Sequence, residues 1–77
     1  MMRVKFTTMN STYECWSAND GMVAMRKVAD ASGGRSRMFR VGEVTFTKGL
    51  TLRVGERAQF DAGSTSPVTS IEVINEN

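Results

Sequence analysis

The chain has 77 residues, a net charge of +2, a single cysteine (Cys15) and no histidine. A chain this short holds one domain, residues 1–77, and buries only about 60% of the surface its unfolded form exposes, so its core is thin and a homodimer is one way to reinforce it. A lone cysteine rules out a disulfide within the chain, and together with the lack of histidine it excludes a zinc site of the usual Cys/His kind.

Residues 1–10 alternate apolar and polar side chains and lack the continuous apolar run of a signal peptide. No later stretch approaches the roughly 18 apolar residues of a membrane span. The expectation is a protein of the cytoplasm with no membrane association. Asn10-Ser11-Thr12 fits a glycosylation sequon, but without a secretory signal it reads as a chance match.

The first element is a strand over Arg3 to Met9, with Val4 and Phe6 on one face and Arg3, Lys5 and Thr7 on the other. Asn10 and Ser11 supply turn chemistry. Thr12 to Ser17 is the next strand, and Asp20-Gly21 is a hairpin signal because both turn residues take positive φ. Counting outward from a two-residue Asp20-Gly21 loop sets Trp16 opposite Met25, Glu14 opposite Lys27 and Tyr13 opposite Val28. A rival reading makes 22–31 a short helix, with Asp20 as its cap, Met22, Met25, Val28 and Ala29 at helical spacing, and Gly33-Gly34 as its stop.

Residues 31–37 form a flexible loop by composition. Met38 to Thr47 reads as a strand that changes phase at Gly42, where a bulge or bend would return Phe39, Val41, Val44 and Phe46 to one core. Lys48-Gly49 is a turn, and Leu50, Leu52 and Val54 alternate with polar residues. Gly55-Glu56 turns the chain into a strand from Ala58 to Ala62. Gly63 to Pro67 reads as a loop, and Val68 to Ile74 is the last strand, with Ile71 and Val73 facing inward. The sum is an all-β fold, a small partly open barrel or highly curved antiparallel sheet of six or seven short strands.

Without histidine the commonest general base is missing, and neither a Ser-His-Asp nor a Cys-His arrangement can be assembled. Cys15 beside Trp16 reads as a small buried hydrophobe. The carboxylates form no local acid pair and no calcium loop. The expectation is a binding protein, not an enzyme, with no cofactor and no metal.

Charge is uneven along the chain. Arg26, Lys27, Arg35, Arg37 and Arg40 face only Asp30, whereas beyond Val54 Arg57 stands against Glu56, Asp61, Glu72 and Glu76. Arginine forks beside flexible glycines suit phosphate or carboxylate. The candidate contact residues are therefore Arg35, Arg37, Phe39, Arg40, Arg26 and Trp16. They fit either an acidic protein surface, where arginine and aromatics carry binding energy, or a nucleic-acid backbone with aromatic stacking. The modest net charge weighs against nucleic acid.

Two stretches, Asn10-Ser11-Thr12-Tyr13-Glu14 and Thr65-Ser66-Pro67-Val68-Thr69-Ser70-Ile71-Glu72-Val73, resemble small β-rich proteins of bacteriophages and actinobacteria whose own function is uncharacterised. Many of those proteins carry Asp two residues beyond the Tyr-Glu pair, where this chain has Trp16. The resemblance implies a setting, not a mechanism: a phage-type protein that binds and modulates a bacterial host protein, such as an enzyme, a transcription factor or a defence complex. A nucleic-acid-binding barrel and a self-assembling structural subunit are the alternatives.

Overall fold

A computed structural model describes residues 2–31, 40–61 and 63–75. They build one strongly curled half-barrel of six antiparallel strands: β1 (Met2–Thr8), β2 (Ser11–Ser17), β3 (Val23–Asp30), β4 (Val44–Thr47), β5 (Arg57–Phe60) and β6 (Gly63–Asn75). Their order across the sheet is β4-β3-β2-β1-β6-β5. No helix among the described residues is long and apolar enough to cross a membrane. The span 22–31 holds the strand β3 (Val23–Asp30) and no helix, because each inward side chain of β3 has a partner on β2.

The β1–β2 hairpin turns on Met9 and Asn10. Buried Thr8 holds it, its Oγ1 accepting from the Asn10 and Ser11 amides at 3.2 and 3.0 Å and donating to the Ser11 carbonyl at 3.1 Å. A threonine hydroxyl can satisfy turn amides in this way without a positive φ.

The β2–β3 hairpin departs from expectation by one residue. Asp20 and Gly21 both take positive φ, 62° and 72°, as an Asp-Gly turn requires. Asn19 joins them in the loop, however, and the Ala18 amide donates to the Met22 carbonyl at 2.8 Å. The register is therefore Trp16 opposite Ala24, Glu14 opposite Arg26 and Tyr13 opposite Lys27. Since a one-residue slip exchanges the faces of a strand, this puts Met25 and Lys27 inside and Ala24 and Arg26 outside. A bulge between Thr12 and Tyr13 places Val28 as the extra residue, after which Thr12 pairs with Ala29.

Two further expectations are corrected. Val41, Val44 and Phe46 do not return to the core: Gly42 makes a tight turn at φ 89°, and all three side chains are exposed. Residues 32–39, which include Phe39, lie outside the described residues. Gly63 to Pro67 is not a loop but the first part of β6, where Pro67 sits opposite Arg57 next to an irregular stretch of pairing. That is a position where a residue with no amide hydrogen is tolerated. Beyond it, at Val68, β6 begins to pair with β1.

The sheet curls because its two outermost strands meet at one end. Thr47 Oγ1 donates to the Asp61 carboxylate, the Asp61 amide donates to the Lys48 carbonyl at 3.1 Å, and Thr51 and Gln59 exchange backbone hydrogen bonds. The interior is a thin line of Phe6, Tyr13, Cys15, Met25, Ala58, Phe60 and Val68. Phe6 and Tyr13, opposite each other on β1 and β2, stack at 5.1 Å.

One end of this line is polar. Lys27, with its side chain 1% exposed, pairs with Asp30, whose Oδ1 also accepts from Ser11 Oγ at 3.0 Å. The hydrogen bond from Lys27 holds the Asp30 carboxyl below its usual value. The opposite end is apolar, with Val4, Val23, Leu50 and Leu52 packed on the core.

Two outcomes follow. Phe6→Ala removes a fully buried ring at a cost of about 3–5 kcal/mol. A chain of 77 residues, at roughly 0.05–0.15 kcal/mol per residue, holds about 4–12 kcal/mol in all. Urea titration followed by circular dichroism should therefore find the unfolding midpoint of the variant far below that of wild type, with about a quarter or more of the total stability lost. Because the folded-state pKa of Asp30 is depressed, its stabilising effect is complete above the unfolded value and is lost as pH falls through the folded one. Asp30→Asn should therefore lower the urea midpoint at neutral pH, and the difference from wild type should vanish in strong acid.

Candidate functional site

The outer face of the sheet carries two rows of side chains that run across the strands. Antiparallel partners directly opposite each other share a face. The first row is Ile74, Arg3, Trp16, Ala24 and Phe46, contributed by β6, β1, β2, β3 and β4. The second is Glu72, Lys5, Glu14, Arg26 and Val44, in the same strand order.

Trp16 is the centre of the first row. The Arg3 guanidinium, from β1, lies 5.0 Å from the indole centroid, and that of Arg26, from β3, lies 5.8 Å away. Both distances fall within the roughly 6 Å over which a cation is attracted to a ring face. Glu14 fixes both cations: its Oε2 accepts from Arg3 at 3.3 Å and from Arg26 at 3.5 Å. Ala24, next in the row, is fully buried although it faces outward. The small residue lies between two aromatic neighbours, Trp16 and Phe46, and is covered from solvent. Phe46 itself is 59% exposed.

The second row alternates in sign: Glu72, Lys5, Glu14, Arg26. Each cation therefore has an acid opposite it, and the face is charged without being strongly positive.

Of the residues singled out in the sequence, Trp16 and Arg26 are brought together here. Arg40 is exposed at the turn leading to β4, where its amide donates to Glu43 Oε2 at 3.4 Å and its carbonyl accepts from the Glu43 amide at 3.0 Å. Arg35, Arg37 and Phe39 lie outside the described residues. Arg3, Glu14 and Phe46 belong to the surface and were not among the candidates. The signal for Arg3 and Glu14 lay in the first hairpin: counting outward from a two-residue Met9-Asn10 loop sets Arg3 opposite Trp16. Phe46 reads as core in the sequence because it alternates with Val44 beyond a bend at Gly42.

Burial pushes the Cys15 thiol up to about 11, so it is protonated at neutral pH and a poor nucleophile. Among the described residues no three His, Cys, Asp or Glu side chains gather into a metal-binding group. Compared with protein-family models, curated proteins and solved structures, the chain matches none.

The arginine–tryptophan arrangement has a measurable consequence. Glu14→Gln removes the shared acceptor from a partly exposed site, where ion pairs contribute about 0–1 kcal/mol, so the urea midpoint should move little. Trp16 fluorescence, which reports the charges around the indole, should change its emission maximum in that variant and remain at the wild-type position in a Glu43→Gln control.

Proposed function

We propose that this chain is a non-catalytic binding module that docks onto another protein through the outer face centred on Trp16, and that the partner is a bacterial host protein which it modulates. The observation that carries the reading is the first outer row, in which Trp16 lies under two guanidiniums and an exposed Phe46 stands one strand beyond Ala24. Tryptophan and arginine are the residues that most often dominate protein interfaces, and a rigid aromatic pair presents apolar area at low entropic cost. The host setting rests on the resemblance of residues 10–14 and 65–73 to small uncharacterised β-rich proteins of bacteriophages and actinobacteria.

Balanced charge favours protein over nucleic acid. Arg3 and Arg26 share Glu14, and Lys5 lies between Glu14 and Glu72 on neighbouring strands, so few cations on this face are available to neutralise phosphates. Nucleic-acid affinity is built from many such contacts. The basic residues Arg35, Arg37 and Arg40, close together in sequence, would offer an acidic partner surface a further positive contact.

Affinity capture from a bacterial lysate, with and without nuclease, tests the reading with three baits: wild type, Trp16→Ala/Phe46→Ala, and Arg35→Ala/Arg37→Ala/Arg40→Ala. A discrete protein should be recovered regardless of nuclease and lost with the aromatic double variant. Recovery that vanishes with nuclease would replace the protein reading with a nucleic-acid one. Recovery undiminished by the aromatic variant would remove the outer face from the contact.

A further inference from the structure

The concave side of the half-barrel holds a feature that the outer face does not use. At its apolar end a partly open pocket of about 210 Å³ is lined by Val4, Cys15, Trp16, Ser17, Val23, Leu50 and Leu52. Four of these side chains are branched aliphatics, and none of the seven is charged. Val73, opposite Val4 on the same face and 57% exposed, continues the apolar wall outward. Interiors of small barrels are normally filled by their own side chains. Here Val4, Val23, Leu50 and Leu52 pack on the core and yet leave this volume between them.

The rest of the sequence explains why the space stays open. The inward positions nearest it are small or short: Val4, Cys15, Ser17 and Val23. The two leucines arrive on the segment between β4 and β5, which is tied down where Thr51 exchanges backbone hydrogen bonds with Gln59 and where Val54 bridges to Val68. The large rings, Phe6 and Tyr13, sit further along the barrel, stacked on each other.

We propose that this pocket is a binding site for a small neutral apolar molecule, of the size of a single aromatic ring or a short branched chain. An apolar cavity of about 150 Å³ is already enough to take up benzene, and one with this lining gives water few hydrogen-bond partners. The Ser17 hydroxyl, the Cys15 thiol and the Trp16 indole N–H are the polar side-chain groups of the lining residues and none is charged, so the site selects on shape and apolarity and rejects a charged ligand, whose desolvation no charge in the lining offsets. A second depression of about 230 Å³, lined by Thr51, Arg53, Glu56, Arg57 and Gln59, has the opposite character and serves as an internal control.

The test is a methyl NMR titration of the full chain with benzene and, separately, with benzoate. Benzene should produce saturable, single-site shifts in the methyl signals of Val4, Val23, Leu50 and Leu52, while Val28, Val44 and the Thr51 methyl stay in place and benzoate produces none of these shifts. Val23→Trp, which places an indole in the pocket, should weaken benzene binding by at least about tenfold with an unchanged circular-dichroism spectrum. Shifts that grow linearly without saturation, shifts concentrated on the exposed Val41 and Val44, or equal binding of benzoate would each overturn the proposal. The wild-type titration decides the matter whether or not the variant folds. Its failure would leave docking through the outer face untouched, because the capture experiment reads partner recovery and not ligand uptake, and Phe46 is no part of the pocket lining.

Discussion

The parity of the β2–β3 pairing is the constraint on which the rest of the molecule depends. Side chains alternate faces along a strand, so a shift of one residue would exchange everything β3 offers to the two sides of the sheet. Enlarging the loop to Asn19-Asp20-Gly21 selects the register in which Met25 faces inward opposite Cys15 and Arg26 faces outward opposite Glu14. The other parity would bury Arg26 and expose Met25 beside Trp16. With so few large buried side chains, the core could not accommodate that exchange.

The same register places a lysine inside, and the bulge at Val28 makes that tolerable. Lys27 is the last inward residue before the bulge, and the extra residue lets β3 bring Asp30 round to it, while Ser11 of β2 lies opposite Asp30. A buried ammonium is costly unless it is paired and hydrogen-bonded. Threonine and serine hydroxyls at Thr8 and Ser11 surround this end, whereas at the far end of the barrel the aliphatic side chains of Val4, Val23, Leu50 and Leu52 pack on the core. The interior is thus graded from polar to apolar along its length, with the Phe6–Tyr13 stack between the two ends. A graded interior disfavours slippage of the strands along one another, since sliding would carry Lys27 toward the valines.

Much of the architecture was legible in the sequence because period-2 alternation and turn residues are local signals. Val4 and Phe6 on one face of β1, the turn at Asp20-Gly21 and the turns at Gly49 and Gly55 all depend on neighbours within a few residues. The misread parts are those decided by distant contacts. Nothing local separates a two-residue from a three-residue loop around Asp20-Gly21. Nor does anything local reveal that Gly63 to Pro67 is extended, since its strand character comes from pairing with β5. Val44 and Phe46 read as core on hydrophobicity, yet they belong to an outermost strand whose inward positions are taken by Thr45 and buried Thr47, opposite Met25 and Val23. Of the candidate surface, Trp16 and Arg26 were chosen for their residue type. Arg3 and Glu14 entered only when three strands were laid side by side.

Under the proposed docking, those three strands also supply the features that would make recognition selective. A guanidinium held over an indole and anchored by a carboxylate loses little freedom on binding, so its forked donors and the ring beneath are presented already oriented. The alternating row beside it sets a pattern of sign that only a complementary surface can match, and a like-charged partner meets unpaired repulsion at each position. Trp16 contributes to both sides of the sheet, with its ring under Arg3 and Arg26 on the outer face and part of the residue bordering the apolar pocket. Its position is therefore set by contacts on the two faces at once. In a chain too small for separate sites with separate scaffolds, one residue at the end of β2 ties the outer row to the concave pocket.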